Sequence, residues 1–296
     1  MITINYPVYT LDNRPLLGAG HEITPEILND LNAPSDETRQ TYSLLKHAAV
    51  QLDLKEFLQI YPYDVIFSDK IDMTALYGSM GEIYLSTPVL GTLDYFKIKD
   101  YYTYRHIITV FALTTLIGSD LLDDCDERII GSAAGPTHDI GKICVPLSIL
   151  RKSTPLTSEE RKFLQHHTVA GYVLLNYYNA GSVAAEVALN HHERKDGSGY
   201  PRGYNGIDRM AEIVAACDVY DALISMRPYR KECYDNRTAL EEITIMAEEG
   251  KIGWDVVKSL IAHNRQNKPH YTEVVISKEK RGAPPKMNSY GKIAGS

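Results

Sequence analysis

The spacing of apolar residues predicts a mainly helical chain from about residue 95 onwards. Ile107, Val110, Phe111 and Ile117 recur at helical intervals, and Gly118 is a residue type that commonly stops a helix. Apolar stripes predict further helices over about residues 182–191, 209–226, 237–249 and 254–264. Glycine and proline lie mainly between these segments. The pattern therefore indicates a mainly α fold, an all-helical domain over about residues 95–272.

The first 94 residues have a different pattern and are predicted to form a small α/β accessory module. Alternating apolar residues from Ile2 to Val8 predict a strand, and Thr24 followed by Pro25 is a helix start signal. A longer amphipathic helix is expected from about residue 35 to residue 60. Residues 273–296 carry glycine, proline and lysine and are expected to form a flexible tail.

Composition and charge limit the classes of function. The chain has 296 residues, of which 44% are hydrophobic and 23% charged, with a formal net charge of -7. This balance does not favour a nucleic-acid polymer or an anionic membrane as a partner. No apolar run is long enough to span a bilayer, and the four cysteines form no CxxC pair. A cytoplasmic protein without a thiolate zinc site is expected.

A histidine doublet, His191-His192, stands at the end of a helical stripe and is followed by a glycine-rich loop. Neutral imidazole is a good ligand for iron, manganese, zinc or nickel. Gly197, Gly199, Gly203 and Gly206 permit a loop that would bring Tyr200 over such a site. Exposed histidine doublets are common in loops, so the missing ligands must come from elsewhere in the chain.

The segment His138-Asp139-Ile140-Gly141-Lys142 supplies a nitrogen and a carboxylate side by side. A carboxylate can bridge two metals, and on a continuing helix Lys142 would share a face with both neighbours. Pro136 lacks a backbone donor and should kink or end the helix just before them. The segment therefore predicts metal ligation next to a cation that would face an anionic substrate.

Other candidates lie on separate predicted helices. Asp218 shares a face with small apolar residues, so its burial would be costly unless it is metal-bound or ion-paired. Asp221 follows one turn later and could orient a neighbouring ligand. Arg227 and Arg230 suggest phosphate recognition, with a solvated basic turn as the alternative. His263 and His270 are expected on the surface.

These motifs, taken in order, resemble the HD superfamily of metal-dependent phosphohydrolases. The sequence Asp196-Gly-Ser-Gly-Tyr200-Pro201, together with Asp221-Ala-Leu and Arg227-Pro-Tyr-Arg230, narrows the resemblance to the HD-GYP family. It covers about residues 97–268. The family implies an HD-type helical bundle that hydrolyses cyclic di-GMP to pGpG or on to GMP. The resemblance also implies two divalent metal ions per chain, iron or manganese, with a bridging water or hydroxide.

The resemblance assigns a role to each candidate. His106, His138, Asp139 and Asp218 would hold one metal, and Asp139, His167, His191 and His192 would hold the second. Lys142 would bind a phosphate oxygen and assist catalysis with Asp139. Tyr200, Asp221, Arg227 and Arg230 would contact the substrate. The Gly-Tyr-Pro loop and the N-terminal module are candidate surfaces for a protein partner, and a homodimer is one oligomeric state to consider.

Three departures from the family pattern change the expectations, and one of them is Gly135-Pro136-Thr137, just before His138, where the family usually has apolar helix formers. Tyr102 stands where some members have a glutamate that binds a third metal, so a two-metal centre is expected. Arg105 replaces a common glycine and could crowd the site entrance or add a phosphate contact. Two alternatives stay open. One is a cyclic di-GMP receptor with weak or no activity, which the irregular segment at Pro136 motivates, and the other is a hydrolase of another nucleotide such as cyclic GMP-AMP.

Overall fold

A computed structural model describes residues 2–31, 33, 38–68, 71–226 and 232–285. These residues are mainly helical, which confirms the predicted fold class, and short strands occur only near the N-terminus among the described residues. One continuous hydrophobic core extends from Ile4 to Leu260. Every helix in the described ranges is too short or too polar to serve as a membrane span.

The α-helices are numbered here in chain order. They are α1 (Pro25–Asp30), α2 (Val50–Leu58), α3 (Tyr63–Ile66), α4 (Met73–Gly81), α5 (Thr87–Lys99), α6 (Tyr101–Leu121), α7 (Cys125–Ser132), α8 (Leu147–Leu150), α9 (Ser158–Gln165), α10 (His167–Tyr177), α11 (Ser182–Asn190), α12 (Arg209–Ile224), α13 (Asn236–Glu248) and α14 (Trp254–Asn264). Short 3₁₀ helices cover Leu44–Lys46, Gly135–Thr137, Ile140–Cys144 and Tyr271–Glu273.

Six short strands form three two-stranded antiparallel sheets. Strand β1 (Ile2–Thr3) pairs with β4 (Glu22–Ile23), β2 (Val8–Tyr9) pairs with β3 (Pro15–Leu17), and β5 (Thr41–Ser43) pairs with β6 (Tyr84–Ser86). The alternation at the N-terminus therefore marks two short strands and not the single strand predicted. Ile4 and Val8 are fully buried, so the alternation correctly marks the side that faces the core.

Two helices, α6 and α12, cross the centre of the domain and pack against each other. From Thr103 to Gly118 nearly every α6 residue is buried, and α12 is buried from Met210 to Ile224. A helix that is apolar on all sides belongs inside a protein, and a polar side chain on it needs a partner. His106 on α6, and Asp218 and Asp221 on α12, are such side chains.

Close packing at Gly141 holds the Ile140–Cys144 turn against α10. A Cβ atom at residue 141 would lie 2.0 Å from the His167 carbonyl oxygen and 2.3 Å from the Gly171 nitrogen. Only glycine allows this approach. It places residues 139 and 142 beside the first turn of α10.

The amphipathic helix predicted from residue 35 to residue 60 is wrong in extent. Residues 41–43 form β5, a 3₁₀ turn follows, and α2 begins only at Val50. The apolar pair Leu44-Leu45 is buried, but in the turn below β5, because the pairing of β5 with β6 takes precedence over helical periodicity.

The proposed division into domains stays a prediction. The N-terminal residues pack on the helical domain: the Tyr6 and Phe163 ring centroids are 4.1 Å apart, and Arg14 donates to the Tyr177 hydroxyl at 2.7 Å. Within the predicted tail, Val274 is buried and the Gly282 N–H donates to Glu241 at 2.7 Å. Residues 286–296 lie outside the described ranges.

The close approach at Gly141 leads to a stability prediction. Gly141→Ala should lower the free energy of unfolding by at least about 3 kcal/mol, because the added methyl group meets backbone atoms that cannot rotate away. Gly78 lies at an exposed position of α4 with no atom near an added Cβ. Gly78→Ala should therefore raise the free energy of unfolding by roughly 0.5–1 kcal/mol. Urea unfolding of both variants measures the difference. Equal stability of the two would contradict the packing described.

Candidate metal centre

All seven residues predicted to bind metal converge on one place, although they come from five separate parts of the chain. His106 lies on α6 and Asp218 on α12, while His138 and Asp139 lie between two 3₁₀ turns. The other three histidines, His167, His191 and His192, lie at the start of α10 and directly after α11. Six of the seven are buried, and the His192 side chain is 19% exposed.

Their potential ligand atoms fall into two groups. In each group the atoms all lie within 4.8 Å of one another, which is close enough to hold one ion. The first group contains His106, His138 and Asp139, and the second contains His167, His191 and His192. The two groups contain six of the seven predicted ligands, and the assignment of ligands to two metal ions stays a prediction.

Asp139, a member of the first group, lies between the histidine rings of the two groups. Each of its carboxylate oxygens faces the rings of one group. Oδ2 lies 3.5 Å from His106 Nε2 and 3.3 Å from His138 Nε2. Oδ1 lies 3.4 Å from His167 Nε2 and 4.0 Å from His191 Nε2. A carboxylate in this position could contribute an oxygen to two ions at once.

Asp218 makes a second connection between the groups. Its Oδ1 lies 3.0 Å from His106 Nε2, and its Oδ2 lies 3.8 Å from His192 Nδ1. Arg227 and Arg230, the arginines just downstream that could pair with Asp218 instead, lie outside the described residues.

Hydrogen bonds on the outer side of the rings fix their orientation. The Nδ1 atoms of His138, His167 and His191 lie 2.6, 2.6 and 3.0 Å from the carbonyl oxygens of Gly135, Leu164 and Ala188. A carbonyl only accepts, so each Nδ1 carries the proton, and Nε2 keeps a lone pair that points into the site. Metal-binding histidines are commonly held in this way.

Unsatisfied atoms show that the site fits a cation. The Nε2 atoms of His106 and His138 are buried and make no hydrogen bond with any described residue. They face the oxygens of Asp139 and Asp218, so lone pairs oppose lone pairs at the centre of a buried cluster. Such an arrangement is costly unless a positive charge lies between the acceptors. Imidazole and carboxylate ligands together suit iron, manganese or zinc.

The two carboxyl groups are held in the ionised form. Burial acts to raise the pKa of Asp139, but the Lys142 ammonium and the surrounding histidine rings outweigh it and keep that pKa well below its ordinary value. Burial also opposes ionisation of Asp218, and the rings of His106 and His192 keep its pKa well below the usual range as well. Both carboxylates are therefore available as ligands at neutral pH.

Two of the rings are held in the neutral form that binds metal. Burial is the main cause that lowers the pKa of His167 to about 4 and the pKa of His191 to about 3. His106 differs: burial acts to lower its pKa, but the carboxylates of Asp218 and Asp221 reverse the effect and raise it. A cation, whether a proton or a metal ion, is thus favoured at His106 Nε2.

Asp221 lies behind His106. Its Oδ2 accepts from His106 Nδ1 at 2.6 Å, and its Oδ1 accepts from the hydroxyls of Tyr63 and of Ser225, the latter at 3.1 Å. The orienting role suggested for Asp221 matches this geometry. The predicted contact with substrate stays a prediction. Tyr63 was not anticipated, since it stands in a segment whose periodicity is ambiguous.

The glycine-rich loop folds back over the histidine doublet. The Tyr200 ring stacks on the His192 ring at a centroid distance of 4.6 Å, and the Tyr200 N–H donates to the His192 carbonyl at 3.2 Å. A Cβ atom at Gly199 would lie 2.4 Å from the His192 carbonyl oxygen, so the loop can approach only with glycine there. Tyr200 is therefore placed at the site, as the loop motif predicted.

Glu193 holds this loop and was missed by sequence reasoning. It is fully buried, and its two oxygens accept the N–H groups of Arg202 at 2.7 Å and Tyr204 at 2.9 Å. A glutamate directly after a histidine doublet and before a glycine loop is a signal that could have identified it, because glycine loops leave backbone donors unpaired.

A cavity of about 370 Å³ opens onto the two metal-ligand groups. Lys142 reaches it, and its ammonium forms an ion pair with Asp139. Lys142 does not continue an α-helix from His138 as expected; the turn is a 3₁₀ helix, in which residues three apart lie on one side. Further cations line the cavity: Arg105, Lys152, Arg161 and Arg194. Arg227 and Arg230 lie outside the described residues.

One expectation about a histidine away from the site is wrong. His263 is buried and not on the surface, because α14 packs against α6 and the ring lies 2.8 Å from the Asp120 carboxylate. This pair is separate from the metal-ligand groups.

Comparison with known proteins identifies relatives of this region. Residues 102–256, more than half of the chain, match the sequence model of the HD domain. A cyclic di-GMP phosphodiesterase of Pseudomonas aeruginosa is 42% identical over 156 residues, which are 51% of this chain and 36% of the relative. A cyclic di-GMP phosphodiesterase response regulator of Xanthomonas campestris is 45% identical over 139 residues, 44% of this chain and 35% of the relative.

A third relative is named for a different substrate. A 3'3'-cGAMP-specific phosphodiesterase of Vibrio cholerae is 34% identical over 173 residues, 57% of this chain and 39% of the relative. The chain thus spans little more than a third of the length of these relatives.

Metal binding should stabilise the protein through Asp139. An excess of Mn²⁺ at about 100 times its dissociation constant should raise the midpoint of thermal unfolding by roughly 5 °C, because only the folded site binds the ion. Asp139→Asn should lose most of this shift. Asp120→Asn, which changes a carboxylate paired with His263, should keep it. A full Mn²⁺-dependent shift in Asp139→Asn would contradict the predicted ligand set.

The loop contact leads to a separate prediction. In Glu193→Gln an amide NH₂ replaces one acceptor oxygen, so one of the N–H groups of Arg202 and Tyr204 loses its partner. Hydrogen exchange at that amide should become roughly tenfold faster or more, as loss of a charge-assisted hydrogen bond implies. Exchange measured by NMR in Glu159→Gln, an exposed change, should match the wild type. Unaltered exchange in Glu193→Gln would show that the loop is held by other contacts.

Proposed function

Because the chain belongs to the HD domain family, which confirms the family resemblance found in its motifs, we propose that it is a metal-dependent phosphodiesterase of cyclic dinucleotides. The observation that carries the proposal is the placement of Asp139 between two clusters of ligands, beside a cation-lined cavity. Phosphodiester hydrolysis needs activated water and neutralisation of a phosphate's charge, and this arrangement is suited to both.

The ligands divide into two sets that share Asp139. His106, His138, Asp139 and Asp218 would hold one divalent ion, and Asp139, His167, His191 and His192 would hold the other. When bound, two such ions supply Lewis-acid activation of water and draw negative charge from the phosphodiester. Iron or manganese suits this mixture of imidazole and carboxylate ligands. Tyr102 offers no carboxylate for a third ion, so two ions are proposed.

The chain's own residues would bind and orient the substrate. Lys142 lies at the cavity wall, where its ammonium would pair with a phosphate oxygen and stabilise the charge that develops on it. Tyr200 would lie against the bound dinucleotide from its position over His192. Arg227 and Arg230 are proposed to hold further phosphate oxygens.

Cyclic di-GMP is the proposed substrate, with pGpG as the first product and GMP after a second cleavage. Water attacks one phosphorus atom, one P–O ester bond breaks, and the released ribose oxygen takes up a proton. Cyclic GMP-AMP is the second candidate, because a relative carries that specificity in its name. Both substrates have the same phosphodiester groups, so the cleavage itself would be common to them.

The alternative of an inactive receptor rested on Pro136. Pro136 lies inside the 3₁₀ turn Gly135–Thr137, and after this turn His138 and Asp139 are directed at the other ligands. The geometry therefore gives no specific support to a receptor that binds without turnover.

Turnover assays test the proposal. Protein reconstituted with Mn²⁺, or with Fe²⁺ kept reduced, is incubated in parallel with cyclic di-GMP and 3'3'-cyclic GMP-AMP, and linear products are separated by chromatography. Lys142→Met should lower kcat/KM by about 10²–10³-fold, as loss of a charge-stabilising donor does. Lys162→Met, at an exposed lysine paired with Glu159, should leave the rate unchanged. Binding of cyclic di-GMP by metal-loaded protein without linear product would establish a receptor instead.

A further inference from the structure

Tyr63 connects the N-terminal part of the chain to the metal centre. It begins α3, lies outside the residues that match the HD domain, and its side chain is 1% exposed. Its hydroxyl donates to Oδ1 of Asp221. The two residues are separated by 158 positions in sequence, so this contact is created only by the tertiary fold.

The Asp221 carboxylate is held at both oxygens. Oδ1 accepts from Tyr63 and from Ser225, while Oδ2 accepts from His106 Nδ1 at 2.6 Å. A carboxylate bound on both sides cannot rotate about its Cβ–Cγ bond without losing a hydrogen bond. Its orientation is thus set in part by a hydroxyl that comes from another region of the protein.

The orientation of Asp221 determines what His106 presents to the site. With the proton on Nδ1 directed at Asp221, Nε2 is directed at Asp218 and Asp139, at 3.0 and 3.5 Å. His106 is unlike His138, His167 and His191, whose Nδ1 atoms are held by carbonyls of their own local turns. The helix carbonyl that could serve it, three residues earlier, belongs to Thr103, and no hydrogen bond joins them in the described structure.

The short helix that carries Tyr63 is itself held in place by a lysine. The Lys268 ammonium donates to the carbonyls of Val65 and Ile66 in the same short helix and to the carbonyl of His263. The helix α3 is therefore attached to the end of α14, and the Tyr63 hydroxyl approaches Asp221 from a fixed position.

We propose that Tyr63 is a positioning residue of the metal centre, whose hydroxyl fixes the Asp221 carboxylate that orients His106 toward the metal. The inference rests on the proposed function, since it assumes that His106 binds a metal ion. It extends the centre beyond the HD domain, because a residue from the first 94 positions completes the hydrogen-bond chain. A core tyrosine that only fills space would have no effect on metal affinity.

The chain offers a matched control for this distinction. Tyr220 is also fully buried, and its hydroxyl lies 2.7 and 3.0 Å from the Oδ1 atoms of Asn236 and Asn264, which are not residues of the centre. Tyr63→Phe and Tyr220→Phe each remove one buried hydroxyl and keep the ring. Both should lower the midpoint of thermal unfolding, and only the first should change the metal site.

Three measurements on the full chain test the proposal. Calorimetric titration should show about tenfold weaker Mn²⁺ affinity in Tyr63→Phe and unchanged affinity in Tyr220→Phe. A tenfold loss is at the low end of what is seen when a residue that hydrogen-bonds to a metal ligand is changed. With cyclic di-GMP, kcat should fall by a similar factor while KM changes less than about twofold, because the substrate's own contacts remain. In the metal-free protein, the ¹⁵N resonances of the His106 ring, assigned with His106→Gln, should shift in Tyr63→Phe alone.

A double-mutant cycle shows whether Tyr63 acts through Asp221. Asp221→Asn should weaken Mn²⁺ binding by about 10–100-fold. In that background Tyr63→Phe should add less than about twofold, because the hydroxyl no longer has a carboxylate to fix. Full additivity, or wild-type Mn²⁺ affinity in Tyr63→Phe, would overturn the proposal.

The experiments also cover two further outcomes: a Tyr63→Phe variant that does not fold, and a wild type that binds Mn²⁺ without activity. If Tyr63→Phe does not fold, Ser225→Ala removes the other donor to the same oxygen and should weaken Mn²⁺ binding in the same direction by a smaller factor; unchanged affinity there would overturn the proposal. If the wild type binds Mn²⁺ but hydrolyses no cyclic dinucleotide, the proposed activity fails. The effect of Tyr63 on Mn²⁺ affinity and on the His106 ring is still measured in that case.

Discussion

The structure depends on one buried carboxylate, that of Asp139, surrounded by histidine rings whose lone pairs point at it. Such a group is stable only when positive charge compensates it, and the fold supplies one lysine together with space for cations between the rings. The surrounding helices are arranged to bring these groups together from distant parts of the sequence. The same constraint explains why the outer nitrogens of His106 and His138 have hydrogen-bond partners, Asp221 and the Gly135 carbonyl, while their inner Nε2 atoms have none among the described residues.

Rigid elements give the centre its precision. The helices α6 and α12 are buried over most of their length, so the side chains they contribute have little freedom to move. Between them and α10 lies a short 3₁₀ turn rather than an α-helix. The tight contact at Gly141 presses this turn against α10, and Asp139 is thereby placed between the two groups of histidines. Pro136 lies in the preceding 3₁₀ turn, Gly135–Thr137, and the ligands that follow it still face the centre.

The N-terminal residues do more than precede the helical domain. Tyr6 lies against Phe163 and His166, close to a predicted ligand, and Tyr63 reaches the carboxylate behind His106. A shift of these N-terminal residues would therefore change the contacts of Tyr6 with His166 and of Tyr63 with Asp221, both next to predicted metal ligands. A boundary drawn at residue 94 separates sequence patterns, but the hydrophobic core continues across it.

The sequence by itself determined the family and the mainly helical fold, because motif order and helical periodicity are local properties of residue type and spacing. The resemblance to that family then named the seven side chains that converge. It also indicated the loop that carries Tyr200, since clustered glycines permit backbone conformations that helices and strands do not contain. Only the tertiary structure decided the strand at residues 41–43, the burial of His263, and the hydrogen-bond partners of Glu193 and Tyr63. Each of these follows from a partner far along the chain, and no local pattern encodes which distant group a side chain will meet.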